Sequence, residues 1–299
     1  MRSKKTIQRP IVGLCLLAFL TVGAFAQKAP KDQFAFGPLN PIKMPKVQRA
    51  ELPNGIKLFL VEDPEYPTID VWAMVRAGSV FEPADKTGLA SITGTVLRTG
   101  GTQSKTGDQI DKELETLAAT VETDVGETAG NIRVSVLKED FDRALAILAD
   151  ILTHPAFRED KIDLAKIMQK SGIARRNDDI GSITYREFNR LMYGKDSPYA
   201  RQTEYATIDA ITRQDLVDFY TAYFHPNNTY MAVWGDFKSA DMIAKLNLAL
   251  APKGHGWPSG CGSRVWPRPW PMPGSGTSRW TTPTSRARAS SGTSSTATT

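Results

Sequence analysis

Gly88-Leu89-Ala90-Ser91-Ile92-Thr93-Gly94-Thr95-Val96-Leu97-Arg98-Thr99-Gly100-Gly101-Thr102 is the stretch on which the rest of the chain is organised. Its apolar residues at 89, 92, 96 and 97 repeat with helical spacing, and the Gly-Gly pair is a natural helix stop. The run-in, Arg76-Ala77-Gly78-Ser79-Val80-Phe81-Glu82-Pro83, carries small residues and a proline suited to a tight connection.

Upstream, Gln48–Leu52 and Ile56–Val61 read as two strands joined by a turn at Asn54-Gly55, and Thr68–Arg76 reads as a third strand. Downstream, Thr106-Gly107-Asp108-Gln109 has capping-box spacing and opens a helix running to about Ala118. Thr120–Asp124 and Asn131–Leu137 follow as strands joined through Gly126, with Ile132, Val134 and Val136 alternating with polar residues. Lys138–Leu152 is amphipathic, with Phe141, Leu145, Leu148 and Leu152 on one face, and Pro155 ends it. Helices over Glu159–Arg176 and Ile183–Met192 come next. A helix over Thr212–Phe224, a strand Thr229–Trp234 and a helix Ser239–Leu250 complete the pattern. This mixture predicts an α+β domain over residues 47–252. Phe219, Tyr220 and Tyr223 could stack a ligand, but their helical spacing suits core packing.

Several ordered landmarks resemble the insulysin/pitrilysin (insulinase-like, inverzincin) peptidase family. They are the Arg76–Pro83 run-in, the Gly88–Thr102 stretch, Ser197-Pro198-Tyr199-Ala200, and His225-Pro226-Asn227-Asn228 leading to Gly235-Asp236. The resemblance implies a largely antiparallel sheet with helices packed on it. It also implies a place in the chain for an H-x-x-E-H zinc helix. In that motif two histidines one turn apart hold the metal, the glutamate is the general base, and a distal glutamate completes the ligands. Laid on this chain, the histidines fall on Ser91 and Thr95 and the base on Gly94. The distal ligand falls on Ser171 by the local pattern, or on Gly172 by counting from Thr95. Two neutral hydroxyls, a bare backbone and a third hydroxyl or glycine stand where the family has two imidazoles and two carboxylates. The expectation is therefore no catalytic residue, no metal ligand and no zinc, although zinc is the family's cofactor.

The three histidines, His154, His225 and His255, are far apart in sequence, and His154 and His225 each precede a proline, where a helix cap or a surface turn is expected. The two cysteines, Cys15 and Cys261, lie outside the domain, which leaves it without a disulfide framework or a thiolate metal site.

Met1–Ala26 has the form of a secretory signal peptide: Arg2, Lys4, Lys5 and Arg9, an apolar centre from Ile11 to Leu20, and Ala24-Phe25-Ala26 before Gln27. The apolar run is short for a membrane span. Export to the periplasm or beyond is expected, with residues 27–46 an extended lead-in. The net charge of +5 belongs to the two ends, since residues 27–254 hold 28 basic and 32 acidic residues, a net of −4. That excludes a general nucleic-acid surface. Residues 255–299 contain no Leu, Ile, Phe, Tyr, Asp, Glu or Lys, and hold four of the six tryptophans. The 253–299 segment reads either as a disordered tail or as translation in a shifted frame.

Family members usually carry two such homologous domains, which enclose a chamber for peptides, and some pair a zinc-bearing subunit with one that lacks the metal. The resemblance thus implies a non-catalytic partner of a zinc-bearing paralogue, with peptides as its ligand class. The alternatives are a zinc metallopeptidase drawing its ligands from elsewhere, and a truncated fragment without activity.

Overall fold

The computed structural model describes residue 41 and residues 44–250. The signal peptide, most of the lead-in, the 253–299 tail, His255 and both cysteines lie outside the described residues. All elements below belong to the compact unit Pro45–Thr299.

Six strands form one sheet: β1 (Gln48–Glu51), β2 (Lys57–Glu62), β3 (Thr68–Val75), β4 (Thr120–Val125), β5 (Gly130–Leu137) and β6 (Thr229–Gly235), in the order β1-β2-β6-β3-β5-β4. Every neighbouring pair is antiparallel except β2–β6, which is parallel. Among the described residues there are eight α-helices: α1 (Leu89–Thr99), α2 (Gly107–Thr116), α3 (Phe141–Thr153), α4 (Glu159–Arg175), α5 (Ile180–Tyr193), α6 (Tyr205–Asp209), α7 (Arg213–Tyr223) and α8 (Ser239–Leu250). The expected α+β fold with a largely antiparallel sheet is present. Among the described residues no helix is long and apolar enough to cross a membrane.

One face of each strand from β2 to β6 is buried, whereas the edge strand β1 has only Ala50 half-buried. Ile69, Val71, Ala73 and Val75 of β3 point inward with Val121 and Val125 of β4, Ile132, Val134 and Val136 of β5, and Met231 and Val233 of β6. Alternation with period two places these side chains under the helices and leaves Trp72, Met74, Tyr230 and Trp234 partly exposed on the other face. Helix α3 adds Phe141, Leu145, Leu148 and Leu152, all buried, at the spacing its sequence predicts. The Thr106 capping box is formed in full: its hydroxyl accepts from the Gln109 N–H, and the Gln109 side chain accepts from the Thr106 N–H.

Two features differ from simple sequence expectation. Strand β6 inserts between β2 and β3, so two strands adjacent in sequence are separated by one that arrives some 160 residues later. The short helix α6 lies in a stretch whose polar residues gave no periodic signal; the Thr207 hydroxyl accepts from the Glu204 N–H at its N-terminus at 3.1 Å, and Ile208 is its one buried residue.

Candidate functional site

Helix α1 begins at Gly88, whose φ of +108° is open to glycine and strained for other residues. The first N–H groups of a helix have no partner within it. Here the Glu82 carboxylate, only 4% exposed, accepts from the Gly88 N–H through Oε1 and from the Ala90 N–H through Oε2, both at 2.9 Å. Arg201 donates to the Glu82 carbonyl at 3.1 Å. Burial raises the Glu82 carboxyl above its ordinary range, outweighing the two backbone hydrogen bonds and the Arg201 charge, which act to lower it. The Glu-Pro landmark in the sequence is thus the anchor of α1.

Ser91 and Thr95 stand one turn apart on α1, as their spacing requires. The Ser91 Oγ accepts from the Gln169 Nε2 of α4 at 2.9 Å. The Thr95 hydroxyl turns back to the Ser91 carbonyl at 3.1 Å, and Thr99 does the same to Thr95 at 2.9 Å. Helix hydroxyls satisfied in this way are committed to the backbone.

Gly94 packs directly on the edge strand β4. A Cβ built there would lie 2.4 Å from the Val125 N and 2.7 Å from the Asp124 carbonyl carbon. Its carbonyl accepts from the buried Thr123 hydroxyl at 2.6 Å. One turn on, Arg98 donates from Nε to the Val121 carbonyl at 3.0 Å and pairs with Asp111. Helix and strand edge are thereby held together by backbone-directed bonds, with no room for a side chain at residue 94.

Ser171 is exposed on α4, two residues and about 200° round the helix from Gln169. Gly172 lies three residues from Gln169, on the same side, and open space lies where its side chain would be. The structure therefore brings Ser91 and Thr95 together and joins Ser91 to α4 through Gln169. Sequence reasoning missed Gln169; its place on the helix that carries Ser171 and Gly172 was the one available signal.

Zinc does not fit these residues. A hydroxyl bonded to an amide, a hydroxyl turned to a carbonyl, and a glycine offer neither imidazole nor thiolate nor carboxylate. Among the described residues, no group of three His, Cys, Asp or Glu side chains is placed to hold a metal ion. His154 caps the C-terminal end of α3, with Nδ1 2.8 Å from the Thr153 hydroxyl and 3.3 Å from Asp150. His225, in the turn after α7, is buried and meets the end of that helix, as a cap does, with Nε2 3.2 Å from the Ala222 carbonyl.

The aromatic residues of α7 are core. Phe219 and Tyr220 are buried, and the Tyr220 ring packs on Phe157 and Phe224 at 5.7 and 5.5 Å. Its hydroxyl donates to the Leu152 carbonyl, and burial raises its pKa beyond the range of physiological titration.

Residues 57–187 match the family model for insulinase, peptidase family M16. An uncharacterized zinc protease of Rickettsia felis is 25% identical over 191 residues, which is 62% of this chain and 45% of that protein. A crystal structure of a peptidase M16 inactive domain from Pseudomonas fluorescens superposes with a TM-score of 0.66 at 24% identity, over 72% of this chain and 52% of that one. The periplasmic protease PqqL from Escherichia coli superposes at 0.64 with 19% identity, over 74% of this chain and 25% of that one. The chain thus spans about half the length of the first two proteins, or less in the third. Together with the landmarks on the sheet and around α1, these matches identify residues 57–187 as an insulinase-like M16 peptidase domain.

Proposed function

We propose that the protein is an exported, non-catalytic homologue of the insulinase-like zinc peptidases, which completes a peptide-holding chamber together with a zinc-bearing paralogue. The observation that carries this reading is the contact of Gly94 with the β4 backbone. The general base of an H-x-x-E-H helix would have to stand where a Cβ meets the Val125 N at 2.4 Å. Ser91 and Thr95 support it, since their hydroxyls are engaged and neutral. Ser171, or Gly172 on the Gln169 side of α4, takes the distal ligand's position without a carboxylate. The intact scaffold supports retention of a binding role after loss of the chemistry.

In this reading residues 1–26 direct export and are removed, 27–46 lead into the domain, 47–252 form it, and 253–299 lie outside it. The periplasmic location stated for PqqL supports export to the same compartment. Peptides are the ligand class, and the paralogue supplies the metal and the base.

Metal analysis of the purified protein, with peptide cleavage measured with and without chelator, tests the proposal. The expected result is substoichiometric zinc and no chelator-sensitive cleavage by the protein alone. Chelator-sensitive cleavage at one zinc per chain would replace the proposal with a metallopeptidase that recruits ligands from elsewhere.

A further inference from the structure

The turn between β1 and β2 holds an asparagine followed by a glycine, Asn54-Gly55, at a point where three remote segments meet. The Asn54 side-chain amide donates from Nδ2 to the Leu250 carbonyl at 2.8 Å, across 196 residues. Leu250 is the last residue of α8, and its carbonyl is one of those that a helix leaves without an internal partner. The Asn54 Oδ1 accepts from the Ile56 N–H at 3.3 Å, and the Gly55 N–H donates to the Leu52 carbonyl at 2.8 Å. Gly55 has a φ of +94°, and a Cβ on it would lie 2.8 Å from the Asn227 Cβ and 3.0 Å from the Asn227 Cα. The third segment is thus the turn that leads into β6.

Asparagine before glycine is a chemically labile pair. No Cβ shields the glycine nitrogen, so that nitrogen can attack the asparagine side-chain carbon. The new N–C bond closes a five-membered succinimide. The side-chain nitrogen is expelled and leaves as ammonia, taking up the proton that the glycine nitrogen gives up. Water then opens the ring at one of its two carbonyls, giving aspartate or isoaspartate. Nothing is oxidised or reduced, and water is the one co-reactant. Native contacts bear on each participant. The Ile56 N–H polarises the Asn54 side-chain carbonyl, which favours attack. The Leu52 carbonyl holds the proton that the Gly55 nitrogen has to lose, and the Leu250 carbonyl holds the amide that has to leave.

We infer that Asn54 is a site of spontaneous deamidation gated by α8: the side chain reacts when the last turn of that helix releases it, and the product keeps the helix from returning. Aspartate at 54 sets a carboxylate against the Leu250 carbonyl where a donor stood, at the negative end of the helix dipole. Isoaspartate lengthens the main chain of the turn by one methylene beside Asn227, where a single carbon added to Gly55 already collides. Leu246 and Leu250, both buried, are the α8 residues whose packing keeps the gate shut. The covalent mark therefore records how often α8 lifts from the hairpin, and it does so whether or not the chain has a partner subunit.

The test keeps the full chain in mildly alkaline buffer and follows the deamidated fraction at residue 54 by peptide mapping with mass spectrometry, over a series of urea concentrations. The expected rate in the folded protein is at least about 10-fold below that in the urea-unfolded chain, and it rises with urea before circular dichroism reports global unfolding. Leu246→Ala, which loosens α8 from the core, should raise the rate in the folded protein by about 3-fold or more and leave the rate in the unfolded chain unchanged. Leu246→Val is measured beside it, so that a fold lost to alanine still leaves a comparison. Asn54→Asp, which carries the product side chain, should speed amide hydrogen exchange in the last turn of α8 by about 10-fold. Equal rates in folded and unfolded protein, or a rate indifferent to a folded Leu246 variant, overturn the gate. Absence of deamidation at residue 54 in the unfolded chain overturns the site itself. Unchanged exchange in Asn54→Asp overturns the claim that the product holds α8 open.

Discussion

The Gln169 side-chain amide donates a 2.9 Å hydrogen bond to the Ser91 hydroxyl, and so ties α4 to α1 at the position where the family's helix would begin to hold its metal. The contact between the two helices is neutral, an amide donating to a hydroxyl. The contact stabilises the helix pair and removes from reach one of the hydroxyls that could have served a ligand.

If that bond joins the helices, Gln169→Ala and Ser91→Ala should each cost about 1 kcal/mol, because each leaves a partly buried polar group without its partner. The double variant should cost less than the sum of the two, with a coupling of about 0.5–1.5 kcal/mol. Urea unfolding of the four proteins measures it. Strict additivity would show that the bond contributes nothing.

Gly94→Ala is a sharper probe. In an exposed helix the change from glycine to alanine favours the fold by about 1 kcal/mol. Here the new methyl group meets the Val125 N at 2.4 Å, a backbone atom that cannot swing aside. The substitution should destabilise the protein by about 1–3 kcal/mol, as overpacking does. Gly94→Glu, which restores the base in name, should cost more. A rise in stability for the alanine variant would show that α1 has room to move off β4, and the argument against a base at this position would lose its footing.

Ser91→His/Thr95→His separates metal binding from chemistry. Two imidazoles at i and i+4 on one helix face hold a divalent ion even without a third ligand. The double variant should take up zinc or cobalt, visible by calorimetry or by the cobalt absorption bands, and should still leave peptides uncut, since Gly94 supplies no base. Peptide hydrolysis by this variant would mean that another residue accepts the proton.

Most of the fold is legible in the sequence because its signals are local. The Thr106 cap, the alternation of Ile132, Val134 and Val136, and the helical spacing of Phe141, Leu145, Leu148 and Leu152 each report on neighbours a few residues away. The placement of β6 between β2 and β3 is a pairing across more than 150 residues, and nothing in Thr229–Gly235 names its neighbours. The altered site is half legible for the same reason. Ser91, Gly94 and Thr95 are read directly from one helix, whereas Gln169 becomes visible only when α4 is laid on α1. The burial of His225 and the exposure of Phe188 and Leu191 on α5 also depend on where the rest of the chain lies, which residue type alone does not disclose.

Glu82 gives the domain a distinct dependence on pH. Its carboxyl is raised by burial, so between the ordinary carboxyl range near 4.5 and its higher folded value the folded protein holds a proton that the unfolded chain has released. Stability contributed at this position therefore falls as pH rises through that interval, opposite to the trend of Asp215. There burial would raise the pKa, but the hydrogen bonds from Lys86 and Thr212 prevail and lower it, so its contribution is lost as pH falls. Glu82→Gln removes the titration while keeping the shape, and leaves one of the α1 N–H groups facing an amide NH2 in place of an oxygen. The variant should be less stable than the natural protein by about 1–3 kcal/mol at pH 5, with the gap narrowing toward pH 8 as the natural protein bears the growing cost of the buried charge. Guanidinium unfolding at several pH values between 4 and 8 measures the gap. A gap that widens with pH would show that the two N–H bonds outweigh burial and hold Glu82 ionised throughout.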